Sequence, residues 1–392
     1  MTSPDLIQEH TEECCFLWHQ RRIAVFQPNL GLEALERLDE RLLAHLDGLR
    51  VAGDGAIDSL LALAQGEAGA AWAAAVLCAE SGRLAQLDGM LGGTVAEAAA
   101  EAAGWMDEAT AERAMIHWTT TGGAALAVAA AAAGFRGLTE PRLAGWAASA
   151  DTPTACAALA SALRLGIAPV VEVARTRAGE PSVARAAQTV LALAGSAEAA
   201  ESLLVSLAPV RSWSLPLIIA GRCSTPPRLR TPRPGLGPWA GCMLAGSAGD
   251  PNLLPDLIAR MEDPRTARCA GEALSAITGA DLRALGLTRP APADADTGPS
   301  EDPADTDVAM DPDDDLPWPD RSAVEAWWKL QPAATPGRLL AGLPVAQAGQ
   351  QLATGNQRLR WAASVELAKT GERRLFPVDA PAATQRRLLQ AG

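Results

Sequence analysis

The chain has 392 residues; 48% are hydrophobic, 20% charged and only 4% aromatic, with 11 tryptophans and no tyrosine. That is apolar material for two or three globular units or one extended repeat array, and the missing tyrosine excludes phenolic acid chemistry. The formal charge is −13, but 11 carboxylates between Arg289 and Arg321 account for all but about two of it, so the body lacks the positive excess that draws a phosphate backbone.

Alanine dominates the apolar residues, and runs of β-branched and aromatic residues are almost absent. Alanine loses no side-chain entropy in a helix, so the composition predicts an all-α protein. The seven cysteines include no CxxC pair, which fits free thiols in a reducing compartment.

Residues 1–55 read as an N-terminal helical module. The opening MTSPDLIQEHTEE is acidic without an apolar stretch, which argues against a cleaved secretion signal. Phe16, Leu17 and Trp18 are expected to staple the first helix to the second. In "LDERLLAHLDGLRVAG", Leu35, Leu38, Leu42, Leu46 and Leu49 follow helical steps, and Glu36, Arg37, Glu40, Arg41 and Asp47 lie largely off that stripe. His45 is then one polar residue on a charged helix, solvated or pairing helices, and no metal ligand is assigned.

Residues 56–288 form a series of short helices broken by Gly, Pro and Asp. His117–Phe135, HWTTTGGAALAVAAAAAGF, is too rich in Ala, Gly and Thr for a membrane span and is expected to be a buried helix. The clearest repeating unit is Asp250–Leu282. Its first helix carries Leu253, Leu254, Leu257, Ile258 and Met261, its turn is Asp263-Pro264, and its second helix carries Ala270, Ala273, Leu274 and Ile277. Asp caps and Pro suits the first helical position. Weaker copies run through GEPSVARAAQTVLALAGSAEAAESLLVSL and GNQRLRWAASVELAKTG. Each resembles the HEAT repeat, a helix pair that hides its apolar face only by stacking on another. Asp263 and Arg268 match positions that hold adjacent HEAT repeats together, and a structural role is expected for both.

Arg222–Cys242 interrupts this array. It holds Arg222, Arg228, Arg230 and Arg233 among prolines, and no acidic residue lies between Glu201 and Asp250. An extended surface loop is expected, with a basic arm as the functional alternative. Residues 289–322 are an acidic, Pro-rich irregular segment, and 323–392 return to helical patterning. "DPDDDLPWPD" opens like a calcium loop with Asp311, Asp313 and Asp315, but Leu316 and Ser322 stand where such a loop needs Gly and Glu. Trp318, Trp327 and Trp328 follow as core, domain-docking or partner-contact residues. No HExxH, GxSxG, P-loop or GxGxxG pattern occurs. No catalytic residue, cofactor or metal is assigned.

Five segments in this order, "EECCFLWHQRR", "LDERLLAHLDGLRVAG", "GEALSAITGADL", "MDPDDDLPWPD" and "VEAWW…GRLLAGLP", resemble a HEAT-like family encoded among bacterial type VI secretion genes. The family tends to have an aromatic where Leu339 follows Arg338 here. The resemblance implies a HEAT-like α-solenoid in the cytoplasm of a Gram-negative bacterium, acting near secretion effectors or their delivery spike. It carries over no catalytic residue. The expectation is a non-enzymatic scaffold that binds a protein partner as adaptor, chaperone or immunity protein, without membrane insertion. Asp311, Asp313, Asp314, Asp315, Trp318, Trp327, Trp328, Arg228, Arg230 and Arg233 are the candidate contacts. Nucleic-acid binding through the arginine loop is the alternative, and an enzyme with an unrecognised site the third reading.

Overall fold

A computed structural model describes residues 4–138, 140–207, 212–224, 237–292, 311, 313–331, 337–371 and 373–391. The protein is all-α, and the only paired strands among these residues form a hairpin of two residues a side. The chain divides into two compact units, Met1–Ala194 with residues 353–360 and 368–392, and Gly195–Leu352 with residues 361–367. Among the described residues no helix is long and apolar enough to cross a membrane.

The first unit contains α1 (Pro4–Ala24), α2 (Leu32–Ala52), α3 (Asp54–Leu63), α4 (Ala68–Ser81), α5 (Gly93–Ala102), α6 (Glu108–Thr121), α7 (Ala124–Arg136), α8 (Leu143–Ala147), α9 (Thr152–Leu165), α10 (Ala168–Arg177) and α11 (Ala184–Leu193). Beyond α5 these helices pair as α6/α7, α8/α9 and α10/α11, and the second helix of each pair stacks on that of the next, giving a solenoid-like row α5–α7–α9–α11. The second unit repeats the plan with α12 (Ala197–Ser206), α13 (Leu215–Cys223), α14 (Pro238–Ala248), α15 (Leu254–Arg260) and α16 (Pro264–Thr278), where α13, α14 and α16 stack in sequence. After the acidic segment come α17 (Arg321–Lys329), the hairpin β1 (Leu339–Leu340) and β2 (Leu343–Pro344), α18 (Ala348–Thr354), α19 (Gln357–Thr370) and α20 (Ala382–Ala391).

Capping follows residue type. The side chains of Asp107, Asp151 and Asp320 accept N–H groups of Thr110, Thr154 and Ala323 at 2.9–3.0 Å, satisfying donors that a helix start leaves open. Asp263 does the same for Arg265 at 3.0 Å, with Pro264 beside it. The stretch His117–Phe135 is not one helix: it breaks at Gly122 and Gly123, whose φ angles of 70° and 54° only glycine adopts without strain. Both ends of the expected loop Arg222–Cys242 are helical. Arg222 and Cys223 end α13, and Pro238 opens α14, where a missing N–H costs nothing. Arg228, Arg230 and Arg233 lie outside the described residues, as does most of the acidic segment before Asp311.

Stacking is close because the facing residues are small. A Cβ built on Gly134 of α7 would lie 2.9 Å from Ser161 Cα of α9, and one on Gly246 of α14 would lie 2.9 Å from Ala273 Cα of α16. Ser161 uses the proximity, donating its hydroxyl to Ala130 O at 2.6 Å. α4, α7 and α14 are buried nearly all round, which is why they read as unbroken Ala-rich runs instead of amphipathic stripes.

Stacked parallel helices bring their carbonyl-bearing C-termini to one edge, and each unit covers that edge with arginines and a crossing segment. In the second unit Arg338 donates to Arg222 O and Ser224 O, Leu339 N–H to Gly249 O at 2.7 Å, and Ala341 and Gly342 N–H to Ala276 O and Ile277 O at 2.8 and 2.9 Å. One strap thus closes α13, α14 and α16. Its turn uses positive φ at Ala341 (48°) and Gly342 (79°), the geometry of a two-residue hairpin loop. In the first unit Arg136 donates to Met106 O at 2.8 Å beyond α5, Arg374 to Gly137 O at 3.1 Å, and Leu375 N–H to Arg164 O at 3.1 Å.

Gly246→Ala should therefore cost about 1–3 kcal/mol by overpacking. Gly145→Ala on α8, where a new Cβ meets nothing within 4 Å, should stabilise by about 0.4–1 kcal/mol. Urea denaturation of the two variants checks the opposite signs.

Candidate functional site

Two polar clusters stand out, one in each unit. In the second unit the acidic motif folds back on α14 and α16. Arg268, 5% exposed, pairs with the Asp311 carboxylate, lies 3.9 Å from Asp314 and stacks 4.7 Å from the Trp318 ring. Asp313 is buried and accepts the indole N–H of Trp239 at 2.8 Å. Backbone bonds anchor the ends: Arg289 N–H to Trp318 O at 2.9 Å and Asp320 N–H to Leu287 O at 2.8 Å. The motif that began like a calcium loop is a clasp. Its first two described carboxylates point at an arginine and an indole, and among the described residues no three His, Cys, Asp or Glu side chains gather as a metal group would. Asp314 and Asp315 face solvent.

Under the clasp lie two thiols. Cys242 of α14 neighbours Cys269 of α16, whose thiol favours ionisation of Cys242, while burial pushes Cys269 far up. Both are buried free thiols, and Cys269 donates to Trp239 O at 3.7 Å. Elsewhere burial pushes Cys15 up to about 12 and Cys78 to about 11, so these are packing residues rather than nucleophiles.

Arg222 is not part of a solvated basic arm. It is fully buried at the end of α13, 3.5 Å from Glu366, and burial depresses its guanidinium to about 10. Asp263 and Arg268 both have structural partners, Arg265 for the first and Asp311 for the second.

The second cluster joins residues far apart in the chain, none of them among the expected site residues. Arg21 of α1, 1% exposed, pairs with Asp39 of α2 at 2.6 Å and donates to Asp379 O and Ala380 O, each at 2.9 Å. Asp39 also accepts Ala382 N–H at 2.7 Å. Arg164 of α9 grips Asp379 with two bonds of 2.7 and 2.6 Å. Burial opposes ionisation of Asp379, but Arg164 and Arg21 outweigh it and hold the carboxyl below its usual range. Glu101 of α5 faces the same arginines, with Arg22 at 3.8 Å, yet burial raises its pKa. Trp105 stacks on Arg21 at 4.7 Å and edge-on to Trp72. A signal existed: Asp39 sits four residues after Leu35 and three before Leu42, inside the buried stripe. Leu38, assigned to that stripe, is only half-buried. A carboxylate in an apolar row calls for a buried cation.

Of the N-terminal aromatics, Trp18 is buried between helices and Phe16 faces solvent, 53% exposed. His45 pairs helices through His10. On α17, Trp327 and Trp328 are half-buried, with ring centroids 6.3 Å apart and planes tilted by 40°. No family model, no curated protein and no solved structure matches the chain.

Asp39→Ala strands the Arg21 charge and should cost roughly 3–5 kcal/mol. Replacing Arg21 by Met in the same chain should recover only part of that, because two carbonyls lose their donor. Denaturant melts of the cycle measure both. Glu101 has a raised folded-state pKa, so its contribution is present below the ordinary carboxyl range and lost as pH rises through the folded value. Glu101→Gln should accordingly raise the melting temperature near pH 7 and leave it unchanged near about pH 4.

Proposed function

We propose that the chain is a non-enzymatic, HEAT-like cytoplasmic scaffold that binds another protein and acts in type VI secretion, as an adaptor loading an effector or an immunity protein neutralising one. The secretion setting rests on the motif order of the sequence. Binding through the second unit is supported by one observation above all. The chain has few aromatics and buries Trp18, Trp72, Trp118 and Trp361 completely, yet it leaves Trp327 and Trp328 side by side and half exposed, followed by Leu330 at 84% exposure. Tryptophan is a preferred anchor where a partner surface excludes water. Exposed apolar side chains grouped in this way favour association.

The acidic motif takes a divided part in this reading. Asp311 and Asp313 hold the clasp, so they shape the surface without meeting a partner. Asp314 and Asp315 project into solvent, where they steer a basic partner by a field that salt screens.

The test is a pull-down with the tagged chain from its native cytoplasm at physiological salt, read by mass spectrometry. Trp327→Ala with Trp328→Ala, and Asp314→Asn with Asp315→Asn, run in parallel. The expected result is one secretion effector or spike component, with affinity reduced about 30-fold or more by the tryptophan pair. The aspartate pair should slow association at low salt only. Equal recovery by the tryptophan variant would remove this surface from the reading, and no recovered secretion component would remove the scaffold role.

A further inference from the structure

His10 on α1 and His45 on α2 belong to neither cluster above. Their Nδ1 atoms are 3.1 Å apart, with ring centroids at 5.2 Å and planes inclined by 66°. Both side chains are half-buried, so the pair is fixed by packing yet open to small solutes. As neutral imidazoles, one ring donates and the other accepts a single shared proton. The same spacing suits two nitrogens on one cation. Zinc–nitrogen bonds of about 2.0–2.1 Å at a tetrahedral angle set the nitrogens about 3.4 Å apart, so a displacement of a few tenths of an ångström makes the spacing that of two ligands on one metal.

The sequence has built a seat for this pair. Gly48 lies one turn after His45 on α2, and the His10 ring rests on it. A Cβ at Gly48 would stand 2.6 Å from His10 Nε2 and 2.7 Å from Cδ2 and Cε1. Glycine weakens the middle of a helix, and here its lack of a side chain is what lets the imidazole reach His45. α1 and α2 pack along their length, which holds the two rings in register. The other two histidines are differently placed: His19 meets Glu67 at 2.6 Å and His117 meets Asp88 at 2.9 Å, each a single imidazole with one carboxylate.

We propose that His10 and His45 form a two-nitrogen clamp for a divalent transition cation of the zinc class, stapling α1 to α2. Imidazole nitrogen suits zinc, copper and nickel, whereas calcium and magnesium require oxygen donors. Two protein ligands and water complete the shell. Binding moves the shared proton from Nδ1 to Nε2 of the ring that carried it, by way of water, so that both neutral rings present an Nδ1 lone pair; the cation then crosslinks two helices and stabilises the first unit by mass action.

The experiment is isothermal titration of the full chain with zinc chloride, paired with thermal melts with and without excess zinc. His10→Gln, His45→Gln and His19→Gln are compared, with far-UV circular dichroism confirming that each is folded. The expected result is one zinc per chain, an affinity at least about tenfold lower in His10→Gln and His45→Gln, and an unchanged value in His19→Gln. Gly48→Ala keeps both ligands but lifts His10 from its seat, and should weaken zinc as well. With copper(II) substituted, electron paramagnetic resonance should show coupling to two nitrogens in the wild-type chain and fewer in His45→Gln. Absence of a zinc-dependent heat in the wild-type chain, or equal affinity in the His10 and His45 variants, would overturn the clamp.

Discussion

Everything in both stacks depends on disposing of helix C-termini. Parallel helices in a row align their dipoles, and the last turn of each presents carbonyls with no intrahelical donor. Brought to one edge, these partial negative charges repel and cannot be left dry. The second unit answers with Arg338 and the backbone of Leu339, Ala341 and Gly342, and the first with Arg136, Arg374 and Leu375. Cationic side chains and backbone N–H groups of an extended segment are the two donors suited to the task, and both units combine them.

This alanine-rich fold also buries guanidinium groups that cap no helix end. Arg21, Arg222 and Arg360 are all 1% exposed or less. Each donates to a carbonyl or carboxamide oxygen or meets a carboxylate, as the cost of burying a charge requires. Arg360 donates to Gln385 Oε1 at 2.6 Å, and Arg358 to Phe26 O at 2.7 Å, so the start of α19 and α20 are tied into the first unit by the same chemistry. Such pairs add less to net stability than their number suggests, because each buried charge gives up its hydration.

The same economy shapes the acidic motif. An arginine under a tryptophan takes one carboxylate, an indole N–H takes another, and the remaining two are left to the solvent. A run of like charge in the sequence thus becomes a structural clasp with a charged rim. The proposed partner surface and the proposed cation clamp are both places where side chains of high chemical value are held short of full burial.

The sequence by itself determined the helical class and the helix start at Asp263-Pro264. Alanine content, Asp and Ser caps and Pro at first turns act within a few residues, so no distant partner is needed to read them. Asp250–Leu282 was legible as a helix pair for that reason. What only the tertiary structure decided concerns pairs distant along the chain: Arg21 with Asp39 and the Asp379 region, Arg268 with Asp311, Arg222 with Glu366, and His10 with His45. Apart from Asp39, which sits in the leucine stripe, local spacing marks these as ordinary polar residues. Whether it faces water or a buried counter-charge is set by which helices stack, and stacking is a global outcome of burying apolar surface.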